Sequence, residues 1–237
     1  MLTPQQIAAY QRDGFVLVRG LWTLDEVQAV LDRAMELNRR VAIPGCFSAE
    51  PDAADPLARF PRMMHPHRVD DLCLRMLRHA PTVAAMEQLM GQPAIGAQTM
   101  IYFKPPGARG QDFHQDNYYL KSEPIPCAAS WTALERIDSQ NGGMSVIPGS
   151  HRRGLLPMAP TDRTRSFTPD AAPVPAGMSP VLIEMAPGDV LFFDGLLIHG
   201  SPPNESGDRW RRVFICHYLP AAHTAYNHGY DPLVPLH

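Results

Sequence analysis

His114-Gln115-Asp116, with His199 83 residues beyond the aspartate, is the grouping in this chain best suited to chemistry. Two imidazoles and one carboxylate hold iron(II) on one face and leave other positions open for reactants. If the three residues meet in space, an oxygen-using enzyme is expected. On an extended chain, residues i and i+2 share a face, so His114 and Asp116 are expected to reach one ion while Gln115 points away. His199 closes a strand-like run from Val190 to Ile198 and precedes Gly200-Ser201-Pro202, read as a turn. A ligand placed there suits the mouth of a barrel. The pair alone is weak evidence, because ten histidines make one such spacing easy to meet by chance. His65, His67, His151 and His217 are read as core or surface histidines and not as ligands.

The elements that must position these residues change character along the chain. Thr3-Pro4-Gln5-Gln6 and Thr23-Leu24-Asp25-Glu26 are capping boxes, each followed by apolar residues at helical spacing. Gly14 stops the first helix, Phe15 to Val18 is a short strand, and Ala80 to Leu89 is a third helix. From about residue 94, short β-rich runs alternate with turns: Ile95–Phe103, Ala128–Ile137, Met144–Ile147, Val181–Met185, Val190–Phe193 and Arg211–Leu219. That spacing predicts a sandwich or barrel rather than a parallel α/β sheet. One domain over 1–237 is expected, with a helical part about 1–92 and a barrel core about 93–220. Proline-rich insertions at about 44–72 and 156–180 are read as lid or binding loops.

Composition narrows the function classes. With 21 basic and 24 acidic residues the net charge is −3, which offers no electrostatic case for nucleic acid or an anionic membrane. No apolar run is long enough for a membrane span, and the start MLTPQQIAAYQRDG does not read as a signal peptide. A cytoplasmic protein is the expectation. Cys46, Cys73, Cys127 and Cys216 form no C-x-x-C pair and are read as buried apolar residues. Oligomeric state is not legible.

Several blocks together resemble the phytanoyl-CoA dioxygenase family of iron(II)/2-oxoglutarate oxygenases. They are Lys104-Pro105-Pro106-Gly107, His114-Gln115-Asp116 with Tyr118-Tyr119, Trp131-Thr132-Ala133-Leu134-Glu135, Asn141-Gly142-Gly143 and Pro148-Gly149-Ser150-His151 with Gly154. Gly188-Asp189, Leu197-Ile198-His199-Gly200-Ser201 with Asn204, and Arg211 leading to Cys216-His217-Tyr218 complete the set, in the family's order over roughly 95–219. The resemblance implies a mainly β fold with flanking helices, the double-stranded β-helix or cupin-like jelly-roll barrel, which agrees with the strand pattern. It implies His114, Asp116 and His199 as iron ligands and 2-oxoglutarate as cosubstrate, with O2 consumed and ascorbate stimulating turnover.

The distal carboxylate of 2-oxoglutarate needs a cation, and a guanidinium pairs with it in a bidentate manner. Arg209, Arg211 and Arg212 are available, and periodicity does not choose among them. The resemblance selects Arg211. It also implies Ser201 as a hydroxyl donor and Lys104 and Trp131 as lining of the cosubstrate pocket. Gln98, Met100 and Tyr102 alternate along one run and are expected to share a face, so Gln98 and Tyr102 are further cosubstrate candidates.

The implied reaction is hydroxylation of an aliphatic C–H in a small or medium metabolite or natural-product intermediate, giving succinate and CO2. Relatives that halogenate have a small residue in place of the carboxylate, so Asp116 favours hydroxylation. The ligand set does not separate hydroxylation from desaturation or ring formation. Asn117, Tyr118 and Tyr119 beside the metal motif, and Arg163 and Arg165 in the second insertion, are candidate substrate contacts. Arg62 and Arg68 of the first insertion are further candidates for an anionic group. The rival readings are a cupin-like metalloenzyme that does not use 2-oxoglutarate, such as an isomerase or another dioxygenase, and a non-enzymatic barrel relative.

Overall fold

Two capping boxes begin the chain's helical part in a computed structural model that describes residues 1–237. Helix α1 (Pro4–Asp13) starts at Thr3, whose hydroxyl accepts from the Gln6 amide while the Gln6 side chain accepts from the Thr3 amide at 2.8 Å. Gly14, at φ 84°, ends it in the left-handed conformation that glycine adopts freely. Helix α2 (Leu24–Asn38) repeats the box with Thr23 and Glu26 and buries Val27, Val30, Ala34 and Leu37 along one stripe. Helix α3 (Asp71–Leu77), capped by Asp70, begins inside the 44–72 insertion, and helix α4 (Ala80–Met90) matches the helix expected from Ala80 to Leu89. None of the helices is long and apolar enough to cross a membrane.

The barrel strands form two antiparallel sheets, and two short two-stranded pairings lie outside them. The larger holds β1 (Phe15–Val18), β2 (Met63–Met64), β3 (Ala94–Lys104), β5 (Ala128–Ala133), β8 (Val190–Asp194), β10 (Arg211–Pro220) and β11 (Val234–Pro235). Its order is β1-β8-β5-β10-β3-β11, with β2 also pairing β3. The smaller sheet runs β7-β6-β9-β4, built from β4 (Gln111–His114), β6 (Ser145–Val146), β7 (Val181–Leu182) and β9 (His199–Ser201). This is the mainly β jelly-roll barrel that the resemblance implies and with which the strand pattern agrees, with helices packed on one side.

Period-two alternation divides the core in two. Ile101 and Phe103 of β3, Val190 and Phe192 of β8, and Phe214, Cys216 and Tyr218 of β10 turn outward and join α1, α2, α3 and α4 in one apolar cluster. Tyr102, Trp131, Leu191, Phe193, Val213 and Ile215 turn inward and pack with Met144, Val146 and Met185 between the sheets. The inward set positions the site.

Both insertions acquire local structure. Within 44–72, Pro56–Arg59 forms a helical turn and β2 pairs with β3, Met63 opposite Ile101 and Met64 opposite Met100. Within 156–180, Ala159–Pro160 pairs with Asp170–Ala171, and Ser166 bridges to Gly110. All four cysteines are buried and unpaired.

Candidate active site

His114 is the last residue of β4 and His199 the first of β9, and antiparallel register sets them directly opposite each other. Their ring centroids are 4.2 Å apart. The expected strand position of His199 is corrected here: β8 ends at Asp194, and the chain then crosses to the smaller sheet, where His199, Gly200 and Ser201 form a strand and not a turn. The expectation that His114 and Asp116 share one strand face is also corrected. Asp116 has φ −64° and ψ −32° and caps the helical turn Asn117–Leu120, so the chain bends just past His114 and brings the carboxylate back. Gln115 secures that bend: its side-chain amide donates to the Leu196 and Gly154 carbonyls and its oxygen accepts from the Leu156 amide.

Asp116 Oδ1 lies 3.5 Å from His114 Nε2 and 3.6 Å from His199 Nε2, and one ligand atom from each residue falls within 4.8 Å of the others. All three residues are buried. His114 Nδ1 stands 2.9 Å from the Asp112 carbonyl and His199 Nδ1 3.0 Å from the Leu197 carbonyl. A carbonyl only accepts, so each Nδ1 carries the hydrogen and each Nε2 offers a lone pair toward the shared point, the tautomer a metal ligand needs. Burial, reinforced by His114, pushes His199 down to about 4, which keeps it neutral near pH 7. Burial opposes ionisation of Asp116, but the imidazoles around it hold its carboxyl well below the usual range. The Gln111 amide also reaches His114 Nε2, at 3.0 Å, a contact that a metal ion would replace. The donor set therefore fits a divalent metal.

His217, read from the sequence as a core or surface histidine, stands against the candidate metal site. On β10 it faces inward, is buried, and sets Nε2 2.9 Å from Asp116 Oδ2. Its alternation with Val213 and Ile215 placed it on the barrel's inner face; its partnership with a residue 101 positions away gave no local signal.

A cavity of ≈ 210 Å³ opens beside the three ligands, and Gln98, Met100 and Tyr102 reach it at alternate positions of β3. Trp131, Ser201 and Arg211 line it too. Arg211 is 1% exposed; Nη2 lies 3.3 Å from Ser201 Oγ, while Nε and Nη1 have no partner. Its guanidinium lies over Tyr102 at 4.5 Å and Trp131 at 5.3 Å. Burial lowers its pKa to about 10, still charged near pH 7. The neighbouring arginines differ. Arg209 pairs with both carboxylate oxygens of Asp138 at 2.8 and 2.9 Å, and Arg212 pairs with Glu135 at 2.5 Å. A buried guanidinium with two unpartnered nitrogens facing a cavity fits an incoming carboxylate. Lys104 does not line the cavity; it lies behind Ser201, with Nζ 2.7 Å from Oγ.

The substrate candidates separate by position. Tyr119 lines the cavity. Asn117 is turned toward the loop after it, bonding Ser122 and the Cys127 amide, and Tyr118 is 40% exposed. Arg163 and Arg165 are exposed and do not line the cavity. Arg68 donates to the Tyr230 carbonyl. Arg62 does line the cavity, 4.4 Å from the Phe167 ring, as do Thr168 of the second insertion and Tyr230.

Comparison with known proteins agrees with this geometry. The family model for phytanoyl-CoA dioxygenase (PhyH) matches residues 10–213. Phytanoyl-CoA dioxygenase domain-containing protein 1 of Mus musculus is 27% identical over 274 residues, covering 96% of this chain and 94% of that protein. A methylphosphonate hydroxylase of Gimesia maris is 36% identical over 132 residues, 54% of this chain and 46% of that protein. Among solved structures, EvdO2 of Micromonospora carbonacea complexed with 2-oxoglutarate superposes with a TM-score of 0.74 at 21% identity, over 95% of this chain and 94% of that one, a likeness of fold. The chain belongs to the phytanoyl-CoA dioxygenase family.

Proposed function

We propose that the protein is an iron(II)- and 2-oxoglutarate-dependent oxygenase that hydroxylates an aliphatic C–H of a small or medium anionic metabolite. One observation carries the reading: two Nε2 lone pairs and a carboxylate oxygen converge at the wall of a cavity that also holds the unpaired guanidinium of Arg211. His114, Asp116 and His199 would hold the metal. Arg211, with Ser201, would hold the distal carboxylate of the cosubstrate. Iron with 2-oxoglutarate and O2 supplies the oxidising equivalents for C–H hydroxylation, with release of succinate and CO2.

The chain's own residues supply orientation and exclusion. The Asp112 and Leu197 carbonyls fix the imidazole tautomers, and His217 holds the outer oxygen of Asp116. Phe193 packs on the His199 ring at 4.5 Å, and Trp131 and Tyr102 wall Arg211 from water. Burial strengthens each of these polar contacts. The carboxylate of Asp116 supports hydroxylation over halogenation.

Arg62 supports the anionic substrate class. Of the four insertion arginines named from the sequence, it alone reaches the cavity, and its side chain meets aromatic rings but no carboxylate. The Gimesia maris relative carries the name methylphosphonate hydroxylase, and a phosphonate or carboxylate would suit a guanidinium in this position.

Purified protein supplied with iron(II), ascorbate and 2-oxoglutarate should bind one iron and form succinate faster when the correct small carboxylate or phosphonate is present. His114→Ala or Asp116→Ala should abolish both metal binding and succinate formation; intact activity in either variant sinks the assignment. Arg62→Ala should raise the KM for substrate and leave 2-oxoglutarate affinity unchanged. A fall in 2-oxoglutarate affinity instead would place Arg62 in the cosubstrate site.

A further inference from the structure

Lys104 is the other fully buried cation near the cavity, and it stands directly opposite Arg211 across the β3–β10 pair. No carboxylate lies within ion-pair distance of it; the ammonium donates to three oxygens, Pro202 O at 2.6 Å, Ser201 Oγ at 2.7 Å and Gly142 O at 3.4 Å. An ammonium has three hydrogens and no lone pair, so at Ser201 the hydroxyl oxygen must accept. Arg211 Nη2, also purely a donor, approaches the same oxygen at 3.3 Å. A hydroxyl oxygen has two lone pairs and one hydrogen. With both lone pairs facing cations, the hydrogen is left to donate elsewhere, and Ser201 lines the cavity.

We propose that Lys104 is a positioning residue: acting through Ser201, it fixes the direction in which that hydroxyl donates and so sets the affinity for the distal carboxylate of 2-oxoglutarate. The proposal rests on the reading of Arg211 and Ser201 as the cosubstrate site. It also assigns a purpose to Asn141-Gly142-Gly143, which the metal and cosubstrate chemistry leaves unexplained. Gly142 has φ +75°, and a Cβ there would lie 2.7 Å from Lys104 Cδ and 2.8 Å from the Pro202 carbonyl. Asn141 pins the turn by accepting from the Asp138 amide and donating to the Arg136 and Trp210 carbonyls. The turn is thus a socket shaped to the lysine tail. Burial and the nearby Arg211 both act against the ammonium charge, a cost that an anion in the cavity would offset.

The test is calorimetric titration of 2-oxoglutarate into manganese(II)-loaded protein, comparing wild type with Lys104→Met, Ser201→Ala, the double variant and Arg211→Ala. Lys104→Met should weaken 2-oxoglutarate binding roughly ten-fold, the order expected for one charge-assisted hydrogen bond. The double variant should bind no more weakly than Ser201→Ala alone, because both changes remove the same donor geometry. In turnover, the KM for 2-oxoglutarate should rise while kcat at saturation stays near wild type. Wild-type affinity in Lys104→Met, or losses that simply add, overturns the proposal. Should Lys104→Met fail to fold, Gly142→Ala decides by the same titration: weaker binding that does not add to Ser201→Ala supports the proposal, and unchanged affinity rejects it. Retained affinity in Arg211→Ala would instead remove the cosubstrate reading beneath it.

Discussion

His217 Nε2 stands 2.9 Å from Asp116 Oδ2, the carboxylate oxygen that neither ligand imidazole touches. One side chain is thereby divided between two tasks: Oδ1 faces the metal position and Oδ2 is anchored to the larger sheet. Loss of the anchor frees the carboxylate to rotate. His217→Ala should lower metal affinity about 10- to 100-fold, the usual effect of losing such a support, with activity restored by excess iron(II). Metal titration followed by intrinsic fluorescence reads this directly; unaltered affinity would mean that the bend at Asp116 is enough to hold the ligand.

Arg211 and Arg209 should part company on substitution. Arg211→Ala should reduce 2-oxoglutarate affinity by at least 30-fold, since charge-assisted bonds contribute roughly 1.5–3 kcal/mol each. Arg209→Ala should leave that affinity intact and cost little in stability, as a partly exposed ion pair does. Equal losses in both variants, measured as binding constants and by urea denaturation, would contradict the division between an open guanidinium and a paired one.

Gly200 separates the strands that carry the two histidines. A Cβ there would lie 2.9 Å from the Asp112 carbonyl carbon and the Phe113 nitrogen, both backbone atoms that have little freedom to move. Gly200→Ala should therefore push β9 from β4 at a cost of about 1–3 kcal/mol. Metal affinity should fall by more than stability alone explains, because the ligand spacing is stretched. Thermal melts with and without manganese(II) should show that added metal raises the Tm of wild type but scarcely that of the variant.

Part of the protein's acid lability should arise away from the metal site. His67 is 5% exposed, with Nδ1 2.8 Å from Thr99 Oγ1; burial, with His65 beside it, pushes it down to about 4. Burial and Arg68 push His65 equally low. Both are neutral when folded, while the unfolded chain protonates them near pH 6.5. Between pH 6.5 and 4 the unfolded state binds more protons, so stability falls as pH is lowered through that window and levels off below it. His67 should contribute up to roughly 3 kcal/mol to the fall. Urea midpoints across this range should be visibly flatter in His67→Asn; an equal slope would assign the lability elsewhere.

Much of this architecture was legible in local pattern. Thr3/Gln6 and Thr23/Glu26 announce their helices because a capping box is contiguous in sequence. Gln98, Met100 and Tyr102 share a face because a strand alternates, whatever it pairs with. What local pattern missed depends on distant partners. Arg212 is neutralised by Glu135 and Arg209 by Asp138, 77 and 71 positions away, and only those pairings leave Arg211 open. The approach of Asp116 to His114 likewise depends on a bend held by Gln115 through residues 154, 156 and 196, so the spacing proved informative although the extended geometry assumed for it does not occur. Helix α3 was hidden by the proline-rich stretch before it, which masks the cap at Asp70.

The direct pairing of His114 with His199 carries one more consequence. β4 is the edge strand of its sheet, and within that sheet it pairs only with β9. Side chains alternate along a strand, so a slip of one residue would turn His114 to the opposite face and leave no site. A chain that loads metal would therefore have paired this edge in the correct frame, so metal occupancy would report on the register of the barrel's edge strand.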